Sequence, residues 1–220
     1  MAKVLLGVTG SVAAIYTRQL FEELCGAGHE VKVVATTPAL HFFDPTQLAP
    51  REPGGRNRDV VIVDQDEWAG ECYRRDEPVL HIELRRWADI LVIAPLDANT
   101  LAKLALGLCD NCLTCVYRAW DRSRPILLAP AMNTLMWEHS ATARHLAQIF
   151  QDVTGQAAVP LTGGQDLCNW INANNQLLAV ASPVTKTLAC ADVGMGAMAS
   201  RDEILTLVRR QGQRHCQEVR

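Results

Sequence analysis

Short, uninterrupted apolar runs alternate along the chain with segments whose apolar positions recur every three or four residues. Val4 to Val8 is the first such run, and its lack of polar alternation predicts a strand buried on both faces of a parallel sheet. The turn Thr9-Gly10-Ser11 leads into AAIYTRQLFEELCGAG, which has helical spacing and ends at Gly26 and Gly28. Glu30 to Thr36 predicts a second strand, so residues 3–36 have the length of one strand–helix–strand crossover. Val60 to Val63, Asp89 to Ala94 and Arg124 to Ala129 predict further strands. The last two run into PLDANTLAKLALGL and PAMNTLMWEHSATARHLAQIF, each a polar turn that opens a helix. Repeated units of this kind predict an α/β fold, a three-layer, doubly wound parallel sheet of Rossmann or flavodoxin-like type, in one domain over residues 1–220. Such sheets take ligands beyond the carboxyl ends of their strands, which makes these turns the place to look for chemistry.

Two stretches interrupt the pattern. APREPGGRNRD, residues 49–59, replaces periodicity with proline, glycine and charge and predicts a loop. LTGGQDLCNWINANNQLLAVASP, residues 161–183, is polar with little regular period, and predicts either a segment without structure or part of a functional flap over about 161–200. The last 20 residues suit a terminal amphipathic helix.

The net charge of −3, from 21 Lys+Arg against 24 Asp+Glu, provides neither a basic stripe for nucleic acid nor a polybasic membrane anchor. No apolar run approaches the roughly 20 residues that span a bilayer. The apolar opening is broken by Gly7, Thr9, Gly10 and Ser11, and reads as strand and turn rather than a secretory signal. Eight cysteines scattered through a large aliphatic chain fit a reducing compartment, so the expected location is cytoplasmic and the expected partners are a small molecule and other protein chains.

Each candidate stretch has a structural reading beside a functional one. Gly10 and Ser11 open a helix after a strand, where free N–H groups favour a phosphate, yet neither GxGxxG nor GK[ST] is present and a plain turn accounts for them equally. Asp97 in DANT and Asn133 in PAMN are both good N-caps. CDNCLTC, residues 109–115, has metal-like thiol spacing but no fourth ligand nearby, and Cys109 and Cys112 on one helix face suit core packing, so no metal is assigned. His81, alone, is an ordinary polar residue, and Cys190 is a thiol beside a glycine-rich turn.

Taken in order, GSVAA, HIELRRWAD, APLDANTLAK, GLCDN, PAMNTLMW and ACADVGMGAMA resemble the flavin-dependent cysteine decarboxylases over about residues 3–200. Within that family the motifs are most similar to the branch that decarboxylates 4'-phosphopantothenoylcysteine to 4'-phosphopantetheine in coenzyme A biosynthesis. The resemblance implies bound FMN, held by Gly10, Ser11, Val12, Thr36, Thr37, Phe42, Asp97, Ala98, Asn99, Thr100 and Ala131. It implies chemistry by transient oxidation of the substrate thiol, loss of carbon dioxide and re-reduction, with no net redox change. His81 would handle the proton of the first half and Cys190 would donate the last one, while Asn133, Met136, Lys186 and Ala189 would bind substrate. The family also implies a homotrimer with sites between subunits, His81 from one chain meeting Asn133 and Cys190 of its neighbour. Other members act on peptidyl cysteine, and noncatalytic relatives inhibit a phosphatase; the latter commonly carry long acidic tails, whereas this chain ends in mixed charge. Ala191, Thr187 and Ser200 depart from the family's usual glycine, basic residue and glutamate.

Overall fold

The computed structural model describes residues 1–48, 60–68, 72, 75–156, 159–160, 163–187 and 193–218, with the side chains of 186, 187, 193 and 213–218 left aside. The 49–59 loop therefore lies outside the described residues.

Six parallel strands form the central sheet in the order β3-β2-β1-β4-β5-β6: β1 (Lys3–Val8), β2 (Glu30–Ala35), β3 (Val61–Val63), β4 (Ile90–Leu96), β5 (Ile126–Pro130) and β6 (Leu178–Val180). Their apolar runs are buried because helices cover both faces. On one face pack α1 (Thr17–Gly26) and α9 (Arg201–Glu218), with Leu20, Leu24, Ile204 and Val208 against Val4, Leu6 and Val92. On the other lie α3 (Leu80–Trp87), α4 (Ala98–Leu106), α5 (Cys112–Arg118), α7 (Ser140–Thr154) and α8 (Gly164–Asn174), with Leu84, Leu101, Leu113 and Phe150 against Leu5, Leu91 and Leu128. Strand order reverses between β1 and β4, so the turns after these two strands sit side by side at the sheet's carboxyl edge.

Several expectations need correction. AAIYTRQLFEELCGAG is not one α-helix: a 3₁₀ turn, Val12–Tyr16, precedes α1, because Ser11 caps a tight start by accepting from the Ala13 N–H at 3.4 Å. Cys109 lies ahead of α5, which begins at Cys112 behind the Asn111 cap, so the two thiols do not share a helix face. The larger correction concerns 161–183, which carries α8 and strand β6 of the main sheet. Its asparagines bond the backbone instead of advertising a loop. Asn172 spans the junction, donating to Val180 O at 2.9 Å and accepting from Val180 N at 2.8 Å, while Asn174 donates to Trp170 O. Leu167, Cys168 and Ile171 supply the buried face of α8. The region's flap-like element is instead an antiparallel hairpin outside the sheet, β7 (Val184–Thr187) with β8 (Val193–Ala197).

Among the described residues no helix is long and apolar enough to cross a membrane.

Candidate active site

Three turns meet at the carboxyl edge. The Thr9 hydroxyl donates to Pro95 O at 2.8 Å and accepts from the Asp97 N–H at 2.7 Å, so one buried side chain joins the ends of β1 and β4. Thr36, also buried, joins β2 to β1 by donating its N–H to Val8 O at 3.0 Å. Gly10 fits between: a Cβ there would stand 2.6 Å from Pro38 Cβ and 3.3 Å from Asp97 Oδ2. Around this junction Val12, Thr37 and Asn99 are exposed, and Ser11, Phe42, Asp97 and Ala98 are half-buried. Thr100 and Ala131 are less available than expected. Thr100 is buried with its N–H given to Asp97 Oδ1 at 2.6 Å, and Ala131 is buried with its N–H given to Leu96 O at 2.9 Å. They shape the edge from below.

At the β3 end of this edge, Thr37 donates both its N–H and its hydroxyl to Asp64 Oδ2, each at 2.8 Å. Asp64 Oδ1 is buried without a partner among the described residues. Asp64 opens α2 (Asp64–Glu67), and at the other end of that turn Glu67 reaches His81. Glu67 Oε1 meets His81 Nδ1, and Glu67 Oε2 accepts from the His81 N–H at 3.2 Å. The carboxylate side chain is 1% exposed and the imidazole 20%. Burial, followed by the neighbouring Glu67 carboxylate, pushes the pKa of the Cys112 thiol well above the ordinary thiol range.

Asn133 lies after β5, where it caps α6 (Thr134–Glu138) by accepting the Leu135 N–H on Oδ1 at 2.9 Å. The β7/β8 hairpin packs onto this turn. Met132 N–H donates to Gly196 O at 2.9 Å, and Gly196 has φ of 146°, with a Cβ there placed 2.3 Å from Met132 O. A Cβ at Gly194 would likewise stand 2.3 Å from Thr134 Oγ1, which is buried without a partner among the described residues. These glycines permit a contact that any side chain would block. Leu135 and Met136 next to Asn133 are exposed, at 76% and 49%. Lys186 pairs with Gly194 across the hairpin; Ala189 and Cys190 fall between its strands, outside the described residues.

The structure thus brings His81 to Glu67 and Asn133 to the hairpin. His81 stands in the first turn of α3, ahead of β4, and Asn133 follows β5.

The flavoprotein family matches the chain over residues 1–212. The chain belongs to this family. The flavoprotein is 47% identical over 210 residues to phosphopantothenoylcysteine decarboxylase of Oryza sativa subsp. japonica, covering 94% of this chain and 79% of the relative. Among solved structures it resembles a cysteine-to-serine variant of PPC decarboxylase complexed with pantothenoylaminoethenethiol, with TM-score 0.74, 43% identity, and coverage of 94% and 96% of the two chains. The FMN binding protein AtHal3 is similar at TM-score 0.71 and 42% identity, over 94% of this chain and 95% of that one.

Sequence reasoning missed Thr9, Asp64 and Glu67. The available signal was VDQDEW: acidic residues directly after the β3 run, in a fold whose strand ends carry the chemistry.

Proposed function

We propose that this flavoprotein binds FMN and decarboxylates 4'-phosphopantothenoylcysteine. The observation that carries the reading is the pair of preformed groups, a carboxylate-backed His81 and a hairpin-clamped Asn133, in a chain so close to decarboxylases of that name. The carboxyl edge fits the cofactor. Gly10 lets the turn after β1 pack closely against Pro38 and Asp97, and Asp64 Oδ1, unpartnered among the described residues, is an acceptor suited to a hydroxyl such as those of a ribityl chain. Gly10, Ser11, Val12, Thr37, Phe42, Asp97, Ala98 and Asn99 would hold it, with Thr36, Thr100 and Ala131 fixing the backbone beneath.

When bound, FMN would supply the two-electron acceptor for the first, oxidative half of the reaction and the donor for the reductive half. His81 takes the thiol proton at that first stage. Asn133 presents its amide to the substrate carboxylate, its orientation set by the Leu135 N–H on Oδ1. Met136 gives the carboxylate an apolar neighbour, which disfavours the charge and favours its departure as carbon dioxide. Cys190 would then give a proton to the enethiolate carbon, with Lys186 and Ala189 binding substrate.

We further propose a cytoplasmic homotrimer in which His81 of one subunit meets Asn133 and Cys190 of the next. The exposed apolar residues Val12, Ile15, Tyr16, Leu106, Leu108, Leu135 and Met136 favour such an assembly. A noncatalytic, phosphatase-regulating role is the second reading, since AtHal3, similar to this chain, is described by its FMN binding and not by an activity. Carbon dioxide release from 4'-phosphopantothenoylcysteine and from a cysteine-ended peptide, measured side by side on the FMN-loaded protein, separates the possibilities. Release from the first substrate alone is expected. Release from the peptide alone would change the substrate class, and release from neither would favour regulation.

A further inference from the structure

We propose that Glu67 is the positioning residue for His81, holding the imidazole as the tautomer protonated on Nδ1 and leaving Nε2 as the basic atom. The proposal rests on the reading of His81 as the proton acceptor, and it adds the group that makes one ring nitrogen differ from the other.

One donor of fixed type lies against the Glu67 carboxyl group, the His81 backbone N–H at 3.2 Å from Oε2, and the carboxyl is buried beside the Cys112 thiol. A carboxylate accepts on both oxygens, and the ring nitrogen against the other one, His81 Nδ1, is then the second donor. A neutral imidazole carries one ring proton, so placing it on Nδ1 leaves the Nε2 lone pair open.

The same carboxylate also fixes the start of α3. Val79 caps that helix without a side-chain bond, and the N–H of His81, in its first turn, is satisfied by Glu67 from another helix. Ring and backbone of one residue are therefore held by two oxygens of one carboxylate. Glu67 is in turn held by its short helix: Asp66 Oδ2 accepts the Val63 N–H at 2.9 Å, and Asp64 is bonded to Thr37 at the β2 end. With Glu67 1% exposed and His81 20% exposed, the carboxylate sits behind the ring and the imidazole is the member that meets solvent or substrate. When Nε2 takes a proton, the imidazolium lies against a buried negative charge that requires no reorganisation.

The test uses FMN-loaded protein with ¹⁵N-labelled histidine, His81 being assigned by difference from His81→Asn, with spectra recorded on the alkaline side where ring signals no longer change. A protonated Nδ1 and an unprotonated Nε2 are expected. The opposite assignment overturns the proposal, with no activity measurement involved. Glu67→Gln is expected to lower kcat for carbon dioxide release roughly 100-fold, with KM and the bound-flavin spectrum little changed and with Nε2–H signal appearing. Wild-type kcat and tautomer in this variant would overturn the proposal. Full activity in His81→Asn would instead remove the reading beneath it, while the wild-type tautomer would still report whether Glu67 holds the ring.

Discussion

His81 and Asn133 are held by contrasting means. A buried carboxylate on a neighbouring helix takes His81 by both its ring and its backbone, whereas Asn133 is placed by a helix cap and by a hairpin whose glycines allow backbone to meet backbone. The first arrangement governs where a proton resides. The second governs shape. A reaction that moves protons at one end of a small substrate and releases a carboxylate at the other has use for both, and neither needs to be built by the same part of the chain.

The strongest way to break the comparison is at the proton-handling half. His81→Asn is expected to lower carbon dioxide release about 10³-fold while leaving flavin absorbance and the melting temperature near wild type, since the ring is the exposed member of its pair. On the shape-governed half, Gly196→Ala forces a Cβ to 2.3 Å from Met132 O at a φ of 146°. The expected cost is on the order of 3 kcal/mol, read as a lower melting temperature, together with loss of activity from a displaced Asn133. A variant with wild-type stability and turnover would show that the hairpin does not set that residue.

A subtler change sharpens the boundary between the halves and the edge they share. Thr9→Val removes the hydroxyl between Pro95 O and the Asp97 N–H, at an expected cost of about 1 to 2 kcal/mol with weaker FMN binding in a fluorescence titration. Unchanged FMN affinity would separate the β1/β4 junction from cofactor binding. The smallest effect concerns Cys112. Because burial and Glu67 raise its thiol pKa, the folded state keeps a proton there that the unfolded chain releases, so the associated stability is present at neutral pH and is lost as pH rises past the ordinary thiol value of 9.0. Alkylation at pH 8 followed by peptide mass mapping is expected to label the exposed Cys109 and spare Cys112. Equal labelling would contradict the burial of Cys112 beside Glu67.

How much of this was legible in the sequence depended on whether a signal was local. The apolar runs of β1, β2, β4 and β5 announced a parallel sheet because strands buried on both faces have no polar alternation to disguise them. Asp97 and Asn133 were readable as caps, since a cap is defined by its own next three residues. Helix α8 and strand β6 were obscured because asparagines that bond the backbone resemble asparagines of a loop until their partners are known. Glu67 was hidden for another reason: it lies 14 residues before His81, and only the fold turns that distance into a contact. The pairing of Thr9 with Pro95 and Asp97 is likewise a product of strand order rather than of any motif.

In the proposed assembly the His81 half and the Asn133 half come from different subunits and make one site. Co-expression of His81→Asn and Asn133→Asp chains carrying different tags, followed by purification through both tags and assay of carbon dioxide release, tests this directly. Each variant alone is expected to be inactive. Cyclic trimers holding both kinds of chain should recover roughly a third of wild-type activity, because one interface in each pairs an intact His81 with an intact Asn133. Mixed assemblies that form and stay inactive would contradict the claim and place the complete site within a single chain.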